Sequence, residues 1–134
     1  MNVLGAHHVA FTVDDLAPSV AFFQRLGFEV VAQEDGSACV RRRDVRLRLL
    51  AAREAVGRTP PAPNDVGRAH VALQVSDVEA EYAALAGAGE TFVSVPQHHH
   101  SGLSWVFVRD PGGSGEVEFL QIGPPPSSEE IGHP

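Results

Sequence analysis

A short stretch near the start of this chain is written twice. Residues 8–16 read His-Val-Ala-Phe-Thr-Val-Asp-Asp-Leu and residues 70–78 read His-Val-Ala-Leu-Gln-Val-Ser-Asp-Val, with five of nine positions identical at an offset of 62. In a chain of only 134 residues, self-similarity of this density points to a duplicated unit.

The similarity extends beyond these nine residues as a shared pattern. Val9, Phe11 and Val13 alternate with His8, Ala10 and Thr12, and Val71, Leu73 and Val75 alternate with His70, Ala72 and Gln74. That period of two predicts a half-buried strand with one apolar face. Asp14-Asp15 and Ser76-Asp77 then offer N-cap side chains, and Pro18 suits a first helical turn. The first helix is expected to reach about Leu26, where Gly27 takes a left-handed stop, and the second covers about Val78 to Ala86, ended by Gly87 and Gly89. Three β-rich runs come next in each copy: Phe28 to Gln33, Ser37 to Arg42 and Val45 to Leu50, then Thr91 to Pro96, Leu103 to Arg109 and Glu116 to Ile122. The order is β-α-β-β-β, twice, an α+β class. Module one spans 4–52 and module two 68–122, joined by a Pro- and Gly-rich linker at 53–67 and succeeded by a proline-rich flexible tail at 123–134. Each module is about 60 residues, too small to bury a sheet face alone, so the two are expected to share one domain over 1–122.

Charge narrows the partners. Ten basic residues, all arginine, against 17 acidic ones give −7 with histidine neutral. A field of that sign repels phosphate backbones and anionic lipid, so nucleic acid and membrane are not expected as partners. No apolar stretch approaches the roughly 20 residues that span a bilayer. The single cysteine, Cys39, and the absence of a basic-then-apolar leader point to a reducing, cytoplasmic setting. Cys39 lies in the apolar run Ala38-Cys39-Val40 and is read as core filler.

One histidine opening a strand is ordinarily structural; two at matched positions of a duplication are candidate partners. His8 and His70 are such a pair, whereas His7 matches Ala69 and is read as structural or exposed, on the opposite face from His8. In the last strands, Leu47-Arg48-Leu49-Leu50 aligns with Val117-Glu118-Phe119-Leu120 at an offset of 70, making Arg48 and Glu118 repeat mates. His8, His70 and Glu118 then supply two imidazoles and one carboxylate, a metal-ligand set suited to Fe(II), Mn(II) or Zn(II) that leaves positions open for substrate. Glu116, two residues earlier on the same face, is the alternative ligand. The competing reading is a pair of buried histidines hydrogen-bonded to Glu118 without metal. Arg48 is read either as a partner of a substrate carboxylate or enolate, or as an ion pair to Glu118 or Glu116. His98-His99-His100 makes a solvated loop, or places one imidazole, His99, as a general acid or base. Trp105 and Phe107 alternate along a strand and are read as core.

From Leu4 to Ile122 the chain resembles the vicinal oxygen chelate superfamily of glyoxalases, bleomycin-resistance proteins and extradiol dioxygenases. The resemblance rests on residues 8–16, Ala21-Phe22-Phe23, Leu26-Gly27-Phe28 and the closing Phe107-Val108-Arg109-Asp110-Pro111-Gly112-Gly113 with Glu116-Val117-Glu118-Phe119. It implies two βαβββ modules forming an open, cup-shaped mixed sheet, paired within one chain or across a homodimer. It also implies a divalent metal between the modules at His8, His70 and Glu118, and a small-molecule substrate. Arg48 departs from the glyoxalase and epimerase pattern, which has Glu or Gln there, leaving dioxygenase-like and transferase-like activities. The alternative within the superfamily is a metal-free protein that sequesters an antibiotic or other natural product.

Overall fold

The computed structural model describes residues 2–52 and 70–125. The linker expected at 53–67 and all but the first three residues of the tail lie outside that set. Two compact units are present: one gathers the described residues up to 52 with Asp110–Ser114, the other those from 70 to 109 and from 115 to 125.

The first unit contains β1 (Val9–Val13), α1 (Leu16–Arg25), β2 (Glu29–Glu34), β3 (Ser37–Arg42) and β4 (Val45–Ala51) in a four-stranded sheet of order β1-β4-β3-β2. The second contains β5 (Val71–Gln74), α2 (Val78–Gly87), β6 (Gln97–His98), β7 (Leu103–Arg109) and β8 (Glu116–Ile122), with order β5-β8-β7-β6. The α+β class and the doubled βαβββ order are as expected. Both helices sit at the repeat offset of 62, and beyond the end of each stands a glycine of positive φ, Gly27 at 91° and Gly89 at 96°.

Register carries the repeat into the last strands. In the parallel pairs, Ala10 faces Arg48 and Ala72 faces Glu118. Because Ala10 and Ala72 are matched by the 62-residue offset, Arg48 and Glu118 occupy equivalent sites, as the sequence alignment requires. By the same register Arg46 matches Glu116. Part of the added length of copy two lies in its last hairpin: Arg43 and Asp44 alone turn between the paired Arg42 and Val45, whereas residues 110–115 separate the paired Arg109 and Glu116.

The first core packs α1 on one face of its sheet. Phe22 and Phe23 meet edge to face, as do Phe23 and Phe28, against Val13, Ala38, Val40, Leu47 and Leu49, all nearly inaccessible to solvent. The alternation that sends Ala38 and Val40 inward sends Cys39 to the opposite face, where it is half-buried across from Arg48. Cys39 therefore does not fill the core. The second unit buries Val106, Val108, Val117 and Phe119, while its alanine-rich helix buries only Val78.

Two local expectations give way. Thr91 to Pro96 is not a strand: Phe92 makes a single bridge to Val108, and the strand beside β7 is the two-residue β6. Thr91 and Val93 still exchange main-chain bonds with Arg109 and Phe107 of β7, but beyond them the Val95 carbonyl is taken by the Ser94 hydroxyl and the Gln97 amide and Pro96 has no N–H, which interrupts the ladder. Asp15, at the α1 N-cap, makes no side-chain cap bond, although Asp77 does cap α2 by accepting from the Ala80 amide at 3.1 Å. The start of α1 is held instead by the 110–114 turn, where the Gly112 carbonyl accepts from the Asp14 and Asp15 amides at 2.9 and 3.0 Å. A Cβ on Gly112 would lie 2.0 Å from Ser19 Oγ, so only glycine permits this approach.

Candidate functional site

Each sheet has one face on its helix and one turned away from it. On the second sheet, Ser104, Val106 and Val108 are buried, so Trp105 and Phe107 point to the other face and remain half-exposed. They are not core, contrary to expectation, because the inward positions of β7 are filled by the residues between them. Phe107 stands across from Glu118, and the His70 ring meets the Phe107 ring edge to face at 5.4 Å. His70 Nε2 lies 3.0 Å from Glu118 Oε1. The His70 side chain is 45% exposed and Glu118 16%, so this is an accessible pair rather than a buried histidine satisfied by a carboxylate.

This pair has the chemistry of a metal half-site. Two donors sharing one ion with bonds of about 2.0–2.2 Å sit roughly 3.0–3.4 Å apart, and imidazole nitrogen with carboxylate oxygen suits a borderline divalent ion. The 3.0 Å separation fits that requirement. Among the described residues, no three His, Cys, Asp or Glu side chains gather into a group that could hold a metal. Glu116 shares the face of Glu118 and has an interaction partner of its own.

In the first unit, His8 precedes β1 and is exposed, its Nδ1 2.9 Å from Nδ1 of His7. Both histidines lie before the strand starts, so strand alternation does not separate them and the expected opposite orientation is absent. His7 Nε2 accepts from Arg46 Nη1 at 3.5 Å. Arg48 is exposed on the sheet face away from α1 and has no hydrogen bond or ion pair among the described residues.

The three consecutive histidines take different roles. His98, in β6, hydrogen-bonds Ser104 Oγ through Nδ1 and Glu79 through Nε2, each at 2.8 Å, fastening α2 to the sheet. His99 is exposed, pairs with the Ser101 hydroxyl at 2.7 Å and stacks on His100.

Two polar residues carry roles that the sequence pattern does not signal. Asp110, 2% exposed, accepts from Ser19 Oγ at 2.6 Å and from the Gly112 and Ser114 amides at 2.8 and 3.2 Å. Gln121 accepts from the Val78 amide and donates to the Gly123 carbonyl. Asp110 lies in a visible turn motif, but its partner Ser19 is 91 residues away and carries no local signal. No helix among the described residues is long and apolar enough to cross a membrane.

The family described as "Glyoxalase/Bleomycin resistance protein/Dioxygenase superfamily" matches residues 5–118. None of the curated proteins matches the chain. Among solved structures, a glyoxalase family protein from Enterococcus faecalis superposes with a TM-score of 0.72 at 22% identity, covering 90% of this chain and 100% of that one. A lactoylglutathione lyase from Agrobacterium tumefaciens gives 0.70 at 20% identity, with 90% and 96% covered. A glyoxalase/bleomycin resistance protein/dioxygenase from Nocardioides gives 0.68 at 22%, with 100% and 92% covered. At these identities the likeness is one of fold.

Proposed function

The chain belongs to the glyoxalase, bleomycin resistance protein and dioxygenase superfamily, and from that premise we propose that it is a divalent-metal-dependent enzyme of the cytoplasm, working as a homodimer on a small molecule. Its ligands are His8, His70 and Glu118, and its ion is Fe(II), Mn(II) or Zn(II). The observation that carries the reading is the accessible His70–Glu118 pair at 3.0 Å, on the face of the second sheet turned from its helix. His8 joins it as the repeat mate of His70.

A divalent ion held there supplies a Lewis acid toward adjacent substrate oxygens. The protein's own part is positional and protonic. Phe107 packs edge to face on the His70 ring and helps to fix its plane, and the Glu118 carboxylate holds the Nε2 side of that ring. Arg48 would orient a carboxylate or enolate of the substrate, and His99, open to solvent, would serve as a general acid or base. Glu116 is the alternative carboxylate.

Metal analysis of untagged protein supplied with Fe(II), Mn(II) and Zn(II) tests this. Bound metal is expected in the native chain, lost in Glu118→Gln and His70→Ala and kept in Glu116→Gln. A native protein that stays metal-free overturns the reading. A second reading, sequestration of a natural product without chemistry, is favoured by the half-exposed Trp105 and Phe107 rings beside the pair. A tightly held ligand recovered chemically intact would select it.

A further inference from the structure

Five of the ten arginines fall between residues 41 and 48, where Asp44 is the only acid, in a chain whose net charge is −7. Strand register sorts them by face. Arg41 stands directly across from Arg46, and Arg48 across from Cys39, on the side of the first sheet opposite the buried Val40, Leu47 and Leu49. Arg42 points the other way, toward the end of α1, its guanidinium the nearest group to a Cβ built at Gly27. Arg46 and Arg48 are two residues apart on one strand, hence roughly 6.6 Å. Three guanidiniums therefore share one small area of sheet.

The cluster lacks an internal counter-ion. Arg41 and Arg48 have no hydrogen bond or ion pair among the described residues, and the partner of Arg46 there is a ring nitrogen of His7, not a carboxylate. Glu29, across from Arg41 on β2, makes no ion pair with it. Like charges directly opposite on a sheet are destabilising, and a second strand neighbour adds to the repulsion. Such a face gains on taking up an anion, and guanidiniums grip carboxylate and phosphoryl oxygens two at a time. The small Ala10 beside Arg48 leaves room above the sheet.

We propose that the Arg41, Arg46 and Arg48 face of the first sheet is a binding subsite for a small organic dianion, carrying two carboxylates or a carboxylate and a phosphoryl group. The inference extends the metal-enzyme reading by naming its substrate class, and it rests on that reading only for the link to catalysis. The surrounding charge of −7 argues for a small anion over a nucleic acid, whose length would meet the acidic remainder of the surface.

Calorimetric titration of chelator-treated protein with succinate and with phosphonoacetate tests the subsite without any metal, so the two readings fail separately. Saturable binding is expected, weakened about tenfold by Arg48→Gln and by Arg41→Gln. Arg42→Gln, which removes the same charge from the other face, should change affinity less than about twofold. Dimethyl succinate should not bind. Urea midpoints of the variants verify that they fold; should Arg48→Gln fail to, Arg48→Lys, which keeps charge but loses the fork, should still weaken phosphonoacetate binding. Absence of saturable binding, equal loss in Arg42→Gln, or tighter binding of duplex DNA than of either dianion would overturn the proposal.

Discussion

Asp110 illustrates how far one side chain can act from its place in the chain. Its carboxylate is almost wholly buried and accepts three hydrogen bonds, one of them from Ser19 in α1. A buried acceptor with charge-assisted bonds is costly to remove, since its donors are left unpaired. Asp110→Ala is expected to lower stability by about 2–4 kcal/mol, read from the urea unfolding midpoint. Ser19→Ala removes one donor and should cost about 1–2 kcal/mol. Nothing in residues 110–114 announces this role, because a turn motif shows that the chain reverses and not what its carboxylate will reach. The His70–Glu118 pair lies at the other extreme. Both members are legible, one from the duplication and one from the alternation of β8, because each obeys a local periodicity.

At the level of elements, the strands and helices with a strong period are readable almost to the residue: β3, β7 and β8 have their expected bounds, and β1 starts one residue late, at Val9. Thr91 to Pro96 fails since its β-branched residues look like a strand, while the Val95 carbonyl is taken by side chains and Pro96 has no N–H, so the pairing begun at Thr91 and Val93 is interrupted. Trp105, Phe107 and Cys39 depart from expectation for a common reason, namely that composition is a poorer guide to facing than alternation. The β3–β4 turn leaves a further mark of compromise. Arg43 sits at φ 55°, a conformation that costs an ordinary residue but not glycine. Arg43→Gly is expected to be neutral or to stabilise by up to about 1 kcal/mol, visible as an unchanged or higher melting temperature. A clear loss of stability would mean that the Arg43 side chain contributes more than its backbone costs.

For the molecule as a whole, the duplication inverts its charge at two matched sheet positions. Arg46 and Arg48 in β4 match Glu116 and Glu118 in β8, so the same two sheet positions carry cations in one copy and carboxylates in the other. The backbone pattern is kept while the charge is inverted, so one architecture presents carboxylates on one sheet and guanidiniums on the other. The copies are also unequal in completeness. The first unit includes Asp110–Ser114, a turn belonging by sequence to the second copy. A fragment of residues 1–60 keeps every strand of the first sheet but loses the groups that hold the start of α1. Such a fragment should show no cooperative urea transition by circular dichroism, since a unit of this size is marginal even when intact. A sharp transition in the fragment would contradict that expectation.

That borrowed turn also imposes an order in time. On the ribosome the first sheet is made early, yet the carboxylate that seats its helix is translated 91 residues after Ser19. The first half must wait, with its phenylalanines ready to associate wrongly, until the 110–114 turn has emerged. Contacts closed over so long a loop slow folding. In return the two ancestral halves cannot mature independently, and a chain interrupted before residue 110 should be recognised by cellular proteases as unfinished.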